Sequence, residues 1–153
     1  MSPIIWGRPT WLFIHTLAEK LKDSSFPLIG QQLIGAIIQI CNHLPCPECA
    51  QHAKQFWSKV KTGNIHNRED LKNILFVFHN MVNKRKQYSS FKYVDLQYYK
   101  SKNVIETYNS FAKNFNTNGN MNLINESFHR NRMLASLKKW IMINLGHFNN
   151  NLS

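Results

Sequence analysis

The sequence predicts an all-α fold. Apolar residues recur at spacings of three and four along most of the chain, no strand-like alternation runs for more than a few residues, and there is no internal repeat. With 153 residues, 43% apolar and 12% aromatic, the chain can supply one ordinary domain with its own core.

Pro9 places the start of the first helix near Thr10, burying Trp11, Ile14, Leu17, Ala18 and Leu21, with DSSFP ending it. A second helix spans about 27–42, with Leu33, Ile34, Ile37, Ile38 and Cys41 inward and Pro45 as its stop. Pro47 suits the first turn of a third, about 46–60, because an amide there has no intrahelical partner to lose. Asn67 is placed to cap a fourth, with Glu69 and Asp70 in its first turn and Lys84, Arg85 and Lys86 in its last, each sign matching the helix dipole. Leu71, Ile74, Leu75 and Phe78 mark its buried stripe. A shorter fifth, about 103–115, carries Val104, Ile105, Tyr108, Phe111 and Phe115. The polar NTNGNMN at 116–122 reads as a linker to one more helix, 128–145, with Met133, Leu134, Leu137, Trp140, Ile141 and Leu145 on a stripe and a fraying NNNLS tail. The division that follows is a domain at 1–115 and a linker with a C-terminal helical extension at 116–153.

A formal net charge of +11 argues against disorder of the acidic, solvating kind and favours anionic partners or an anionic cofactor. The basic residues are scattered, with no recognition helix and no aromatic-basic motif, so no specific nucleic acid is expected. The richest apolar run, LIGAIIQI at 33–40, falls short of the roughly 18–20 residues of a membrane span, so no membrane is expected. The first residues lack a basic region before their apolar run, and Arg8 and Pro9 interrupt that run, so secretion is not expected.

Three cysteines are too few for a disulfide scaffold, but two of them form CPEC. If the third helix starts at Pro47, Cys46 is its cap and Cys49 lies in its first turn, where free amides and the dipole stabilise a thiolate. The two-residue spacing lets the sulfurs reach disulfide distance. The competing chemistry is zinc, with Cys46, Cys49 and His52 as ligands and Cys41, His43 or His66 as the fourth; a second C-x-x-C is missing. Cys41 reads as a small core residue. On the fourth helix, FVFHNMVNKRK puts His79 and Asn83 four residues apart with Asn80 and Val82 beside them. An imidazole and two carboxamides on an otherwise apolar helix suit a cavity whose contents need planar, directional hydrogen bonds, as a nucleotide base or a flavin does.

Three segments in order, WGRPTWLFIH at 6–15, LPCPECAQHA at 44–53 and HNMVNKRK at 79–86, together resemble the Erv/ALR family of FAD-linked sulfhydryl oxidases, over roughly residues 5–110. The redox segment is similar to the compact versions carried by large DNA viruses. The resemblance implies a bundle of four helices plus a short fifth holding FAD, usually as a homodimer, and an enzyme that forms protein disulfides from dithiols while reducing O2 to H2O2. It implies that Cys46 meets the substrate thiol and Cys49 packs on the isoalloxazine. For FAD binding it carries over Gly7, Arg8, Thr10, Trp11, His15, His52, His79, Asn80, Val82, Asn83 and Lys84, with Lys86 or Tyr88 near the phosphates and Tyr98 or Tyr99 on the adenine, of which the resemblance favours Lys86 and Tyr99. No metal is implied. This chain departs from many relatives in lacking a second, shuttle C-x-x-C, which implies direct entry of electrons at Cys46 or a thioredoxin-like dithiol carrier as partner. The compartment expected is the cytoplasm, of an infected host cell, or the virion. The alternative is a zinc-stabilised or helical binding module without redox activity.

Overall fold

The computed structural model describes residues 3–116 and 121–149. Among them the chain is all-α: α1 (Pro3–Lys20), α2 (Phe26–Asn42), α3 (Pro47–Ser58), α4 (Arg68–Arg85), α5 (Val104–Phe115) and α6 (Met121–Asn144), joined by short 3₁₀ turns. The only strand-like pairing among these residues is an isolated antiparallel bridge between Leu21 and Phe148. One core runs through all six helices: Phe13, Ile14 and Leu17 from α1, Leu33, Ile34, Ile37 and Ile40 from α2, Trp57 from α3, Leu71 and Leu75 from α4, Phe111 and Phe115 from α5, and Leu134, Leu137 and Ile141 from α6. Gly30 is required on α2, since a Cβ there would meet the Phe26 ring at 2.7 Å.

The helix boundaries at α2, α3, α4 and α5 follow the sequence closely, and for the last three their caps explain why. Cys46 Sγ accepts from the Cys49 amide, Asn67 Oδ1 from the Asp70 amide, and Asn103 Oδ1 from the amides of Ile105 and Glu106. Two starts differ. α1 begins at Pro3, not near Thr10, and runs through Pro9. The missing amide of Pro9 is tolerated because Trp6 is buried and Thr10 Oγ1 donates to Trp6 O at 2.6 Å, tying the first turns to the rest. α6 begins at Met121, not near residue 128, because its first turns are held to the end of α5: Ser127 Oγ donates to Asn116 Oδ1 and Asn116 Nδ2 to Asn131 Oδ1, both at 2.6 Å. Residues 117–120 of the expected linker and most of the expected fraying tail lie outside the described residues.

The segment Asp23–Asn42 is, by length and composition, apolar enough to cross a membrane, with a mean hydropathy of 1.3, contrary to the sequence reading. Its aliphatic positions outweigh Asp23, the three Gln and Asn42, and half of it is buried inside the bundle.

Between α4 and α5 no regular structure is expected from the sequence, yet Tyr93–Ser101 forms a run of 3₁₀ turns. α4 ends with Gln87 at φ 62, the Gln87 amide bonding Lys84 O and the Tyr88 amide bonding Asn83 O, the double closure of a left-handed C-terminal cap. The turns beyond it are anchored by Lys20 Nζ donating to Lys100 O and Tyr93 OH donating to Glu69 Oε2. The N-terminus of α4 is stapled to the end of α1 by an ion pair of Lys72 with the buried Glu19 at 2.8 Å and by Arg68 Nη1 donating to Glu19 O.

Candidate functional site

The first turn of α3 sets the chemistry. Pro45 and Pro47 bracket Cys46 in extended backbone, and the helix then brings Cys49 back over it, so that the two form a disulfide with Cα atoms 5.1 Å apart. Cys49 is buried and lines a cavity; Cys46 is partly exposed and does not. One sulfur therefore faces solvent and its partner faces inward.

The cavity encloses about 840 Å³ between α1, the end of α2, α3 and α4. Of the residues singled out in the sequence, Gly7, Arg8, Thr10, Trp11, His52, His79, Val82, Asn83 and Lys86 line it with Cys49. Tyr88 lines it as well. Tyr98 and Tyr99 instead line a second, open groove of about 580 Å³, which shares His79 and Asn83 with the first and is lined further by Phe91, Val94 and Asp95. His15, Asn80 and Lys84 line neither. His15 is buried behind His79, its Nε2 2.9 Å from His79 Nδ1, while Lys84 is exposed.

The sequence reading missed Trp6, Gln55, Phe56, Lys59, Val60 and Met81, all on the cavity wall, and Cys41, which lies at its edge as well as in the core. A signal existed for the α3 residues. Cys49, His52, Ala53 and Phe56 are one face of α3, and Lys59 and Val60 just past its end extend it, obtained by continuing the spacing of three and four from Cys49. Burial pushes the Cys41 thiol up to about 12, so it stays protonated and unreactive.

Two features characterise the wall. Arg8, Lys59, Arg85 and Lys86 contribute positive charge from three helices, and no Asp or Glu lines the cavity, so an anionic group would meet attraction without opposition. At the inner end, His79 stacks on Trp11 with ring centroids 3.8 Å apart and planes within 7°, and His15 stacks on Tyr99 at 4.8 Å. The two stacks are joined through the His15 to His79 hydrogen bond. Among the described residues, no three His, Cys, Asp or Glu side chains converge as metal ligands.

Burial, helped by His79, holds the His15 imidazole down to about 3, and burial holds His79 down to about 4. Both are neutral near pH 7, so one ring donates and the other accepts. Unfolded, each titrates near ~6.5, so below that pH the unfolded chain binds more protons and stability falls as acid is added. From pH 7 to pH 5 the ligand-free protein is expected to lose about 2 kcal/mol per histidine, read by urea denaturation, and a His15→Gln variant to lose about half the slope. A flat profile would mean that the pair is solvated.

The sequence model of the Erv1 / Alr family matches residues 8–103. A protein of African swine fever virus (isolate Pig/Kenya/KEN-50/1950) named FAD-linked sulfhydryl oxidase is 32% identical over 80 residues, 52% of this chain and 66% of that protein. One of fowlpox virus (strain NVSL), named a probable FAD-linked sulfhydryl oxidase, is 30% identical over 83 residues, 54% of this chain and 80% of that protein. The chain thus covers just under two thirds of the African swine fever virus protein. No solved structure matches. The family match runs from Arg8 on the cavity wall, through both disulfide cysteines and through His79 and Asn83 of α4, to the cap of α5, more than half of the chain, and the chain belongs to the Erv1 / Alr family.

Proposed function

We propose that the protein is an FAD-dependent thiol oxidase that makes disulfides from dithiols and reduces O2 to H2O2 through the Cys46–Cys49 pair. The observation that carries this reading is the position of that disulfide, with Cys46 toward solvent and Cys49 on the wall of a cavity that the chain leaves unfilled. FAD fits the residues present. A volume of about 840 Å³ lies within the usual range for a bound small molecule. Gly7 is on its wall, and a Cβ added there would meet nothing, so this helical glycine answers to no neighbour within the chain and leaves room for a ligand. Trp11, His79 and Asn83 suit a planar, hydrogen-bonding ring system, and the four cations suit a pyrophosphate. When bound, FAD supplies a two-electron sink that oxygen regenerates.

The chain's own part is thiol exchange. A substrate thiolate attacks Cys46 Sγ, the bond to Cys49 breaks, and Cys49 leaves as a thiolate in the first turn of α3, where the helix dipole favours negative charge. The second substrate thiolate attacks the mixed disulfide at the substrate sulfur, which releases Cys46 and completes the substrate disulfide. Cys49 is then the reduced sulfur that faces the cavity.

Within these 153 residues the only other cysteine is the buried Cys41, which supports direct entry of electrons at Cys46 from a thiol protein, with a thioredoxin-like dithiol carrier as the partner. A homodimer is the proposed assembly. α2 supports it, since in a chain of net charge +11 it bears no charged residue and exposes Leu28, Gln31, Gln32 and Gly35, so two copies can meet there without like-charge repulsion. Viral relatives support the infected host cytoplasm or the virion as the compartment. Residues 1–115 are taken as the oxidase domain and 116–153 as its extension. The test is the visible spectrum of the purified protein. A flavin band near ~450 nm is expected to bleach with dithiothreitol under argon and to return with oxygen. A protein that neither retains FAD nor takes it up on titration would overturn the reading.

A further inference from the structure

We propose that Asn80 is a positioning residue: its side chain ties α4 to the loop at Phe91 and so sets His79 and Asn83 for the planar part of the ligand, while making no contact with the ligand itself. The inference deepens the flavin reading and rests on it. The resemblance places Asn80 among the cofactor contacts, yet Asn80 lines neither cavity.

Its carboxamide is committed elsewhere. Asn80 Nδ2 donates to Phe91 O at 3.0 Å, and Asn80 Oδ1 accepts from the Phe91 amide, also at 3.0 Å. Donor and acceptor of one carboxamide thus satisfy acceptor and donor of one backbone residue, which fixes the orientation of the amide. The same Oδ1 accepts from Asn83 Nδ2 at 3.3 Å. Two consequences reach the site. The Phe91 ring is held against His79, with centroids 4.7 Å apart, and edge-on to His15 at 5.8 Å, backing the histidine that stacks on Trp11. Asn83, which lines both cavities, has one N–H turned to Asn80, leaving its carbonyl oxygen and its other N–H for a ligand.

The experiment uses the full chain with Asn80→Ala, the milder Asn80→Asp, which keeps the acceptor and loses the donor, and Asn83→Ala as the contact residue for comparison. Trypsin is the probe of the loop, because Lys86 and Lys92 lie on either side of its turn. FAD affinity is read by fluorescence titration and ligand geometry by the visible circular dichroism of bound FAD at saturation. Asn80→Ala is expected to be cut at Lys86 or Lys92 roughly tenfold faster in the absence of ligand and to bind FAD roughly tenfold more weakly, the loss of two backbone hydrogen bonds. Its bound FAD should show an altered visible dichroism, and Asn80→Asp should move the same way by less. Asn83→Ala should weaken binding with the trypsin rate unchanged. Weak binding by Asn80→Ala with a wild-type trypsin pattern would overturn the proposal in favour of direct contact. A freed loop with wild-type affinity and dichroism would overturn it in favour of a loop anchor alone. Wild-type protein that takes up no FAD would sink the flavin reading itself, whatever the trypsin pattern.

Discussion

Replacing Cys49 by alanine should abolish dithiol-driven bleaching of the bound flavin, by at least ~1,000-fold, while the yellow protein is still recovered. The expectation follows from the asymmetry of the disulfide. Cys49 is the sulfur on the cavity wall, and without it Cys46 can form at most a mixed disulfide that has no internal thiol to resolve it. The control is Cys41→Ala, the third cysteine. It too borders the cavity, but it is buried and its thiol is pushed up to about 12, so its replacement should leave the bleaching rate within about threefold of wild type. Stopped-flow absorbance under argon measures both. Bleaching at the wild-type rate in Cys49→Ala would mean that electrons reach the flavin without the pair.

Removing residues 116–153 should cost on the order of 6 kcal/mol or more, enough to unfold most of the protein at room temperature. Leu134, Leu137, Ile141 and Phe148 are all buried in the same core as α1 and α2, and each such side chain contributes about 1.5–3 kcal/mol, less some allowance for residual burial in the unfolded chain. Polar contacts add to this. Tyr108 OH donates to Leu134 O at 2.9 Å and Trp140 Nε1 to Gln32 Oε1 at 2.9 Å. Far-UV circular dichroism with urea titration of a 1–115 fragment is the measurement. A fragment as stable as the full chain would mean that the extension only rests on the domain.

The legible part of the fold was whatever short-range rules govern. Asn67 and Asn103 cap the helices they precede, and the stripes of α2 and α4 face the core, because capping and periodicity are local. The start of α1 was misread because Pro9 is usually a first-turn residue, and only the burial of Trp6, a tertiary fact, carries the helix through it. The site divides in the same way. Motif residues of α1, α3 and α4 meet on one cavity, whereas Asn80 faces the loop and His15 sits behind His79, since position in a motif does not tell on which side of a wall a side chain lies. Phe56 and Val60 were hidden for the opposite reason: apolar residues at helical spacing look the same whether they face a core or a ligand cavity.

The pairing of Leu21 with Phe148 carries a cost in time. The Lys22 amide bonds His147 O and the Asn149 amide bonds Lys20 O, so the end of α1 is finished by residues more than a hundred positions downstream. Contacts of such long sequence separation form slowly and raise the contact order of an otherwise local, helical protein. During synthesis, the helices up to α5 emerge while the apolar faces that meet Leu134, Leu137, Ile141 and Phe148 are still bare. The nascent chain is therefore sticky until α6 arrives, and the docking of α6 is the step at which these apolar faces stop being an aggregation hazard.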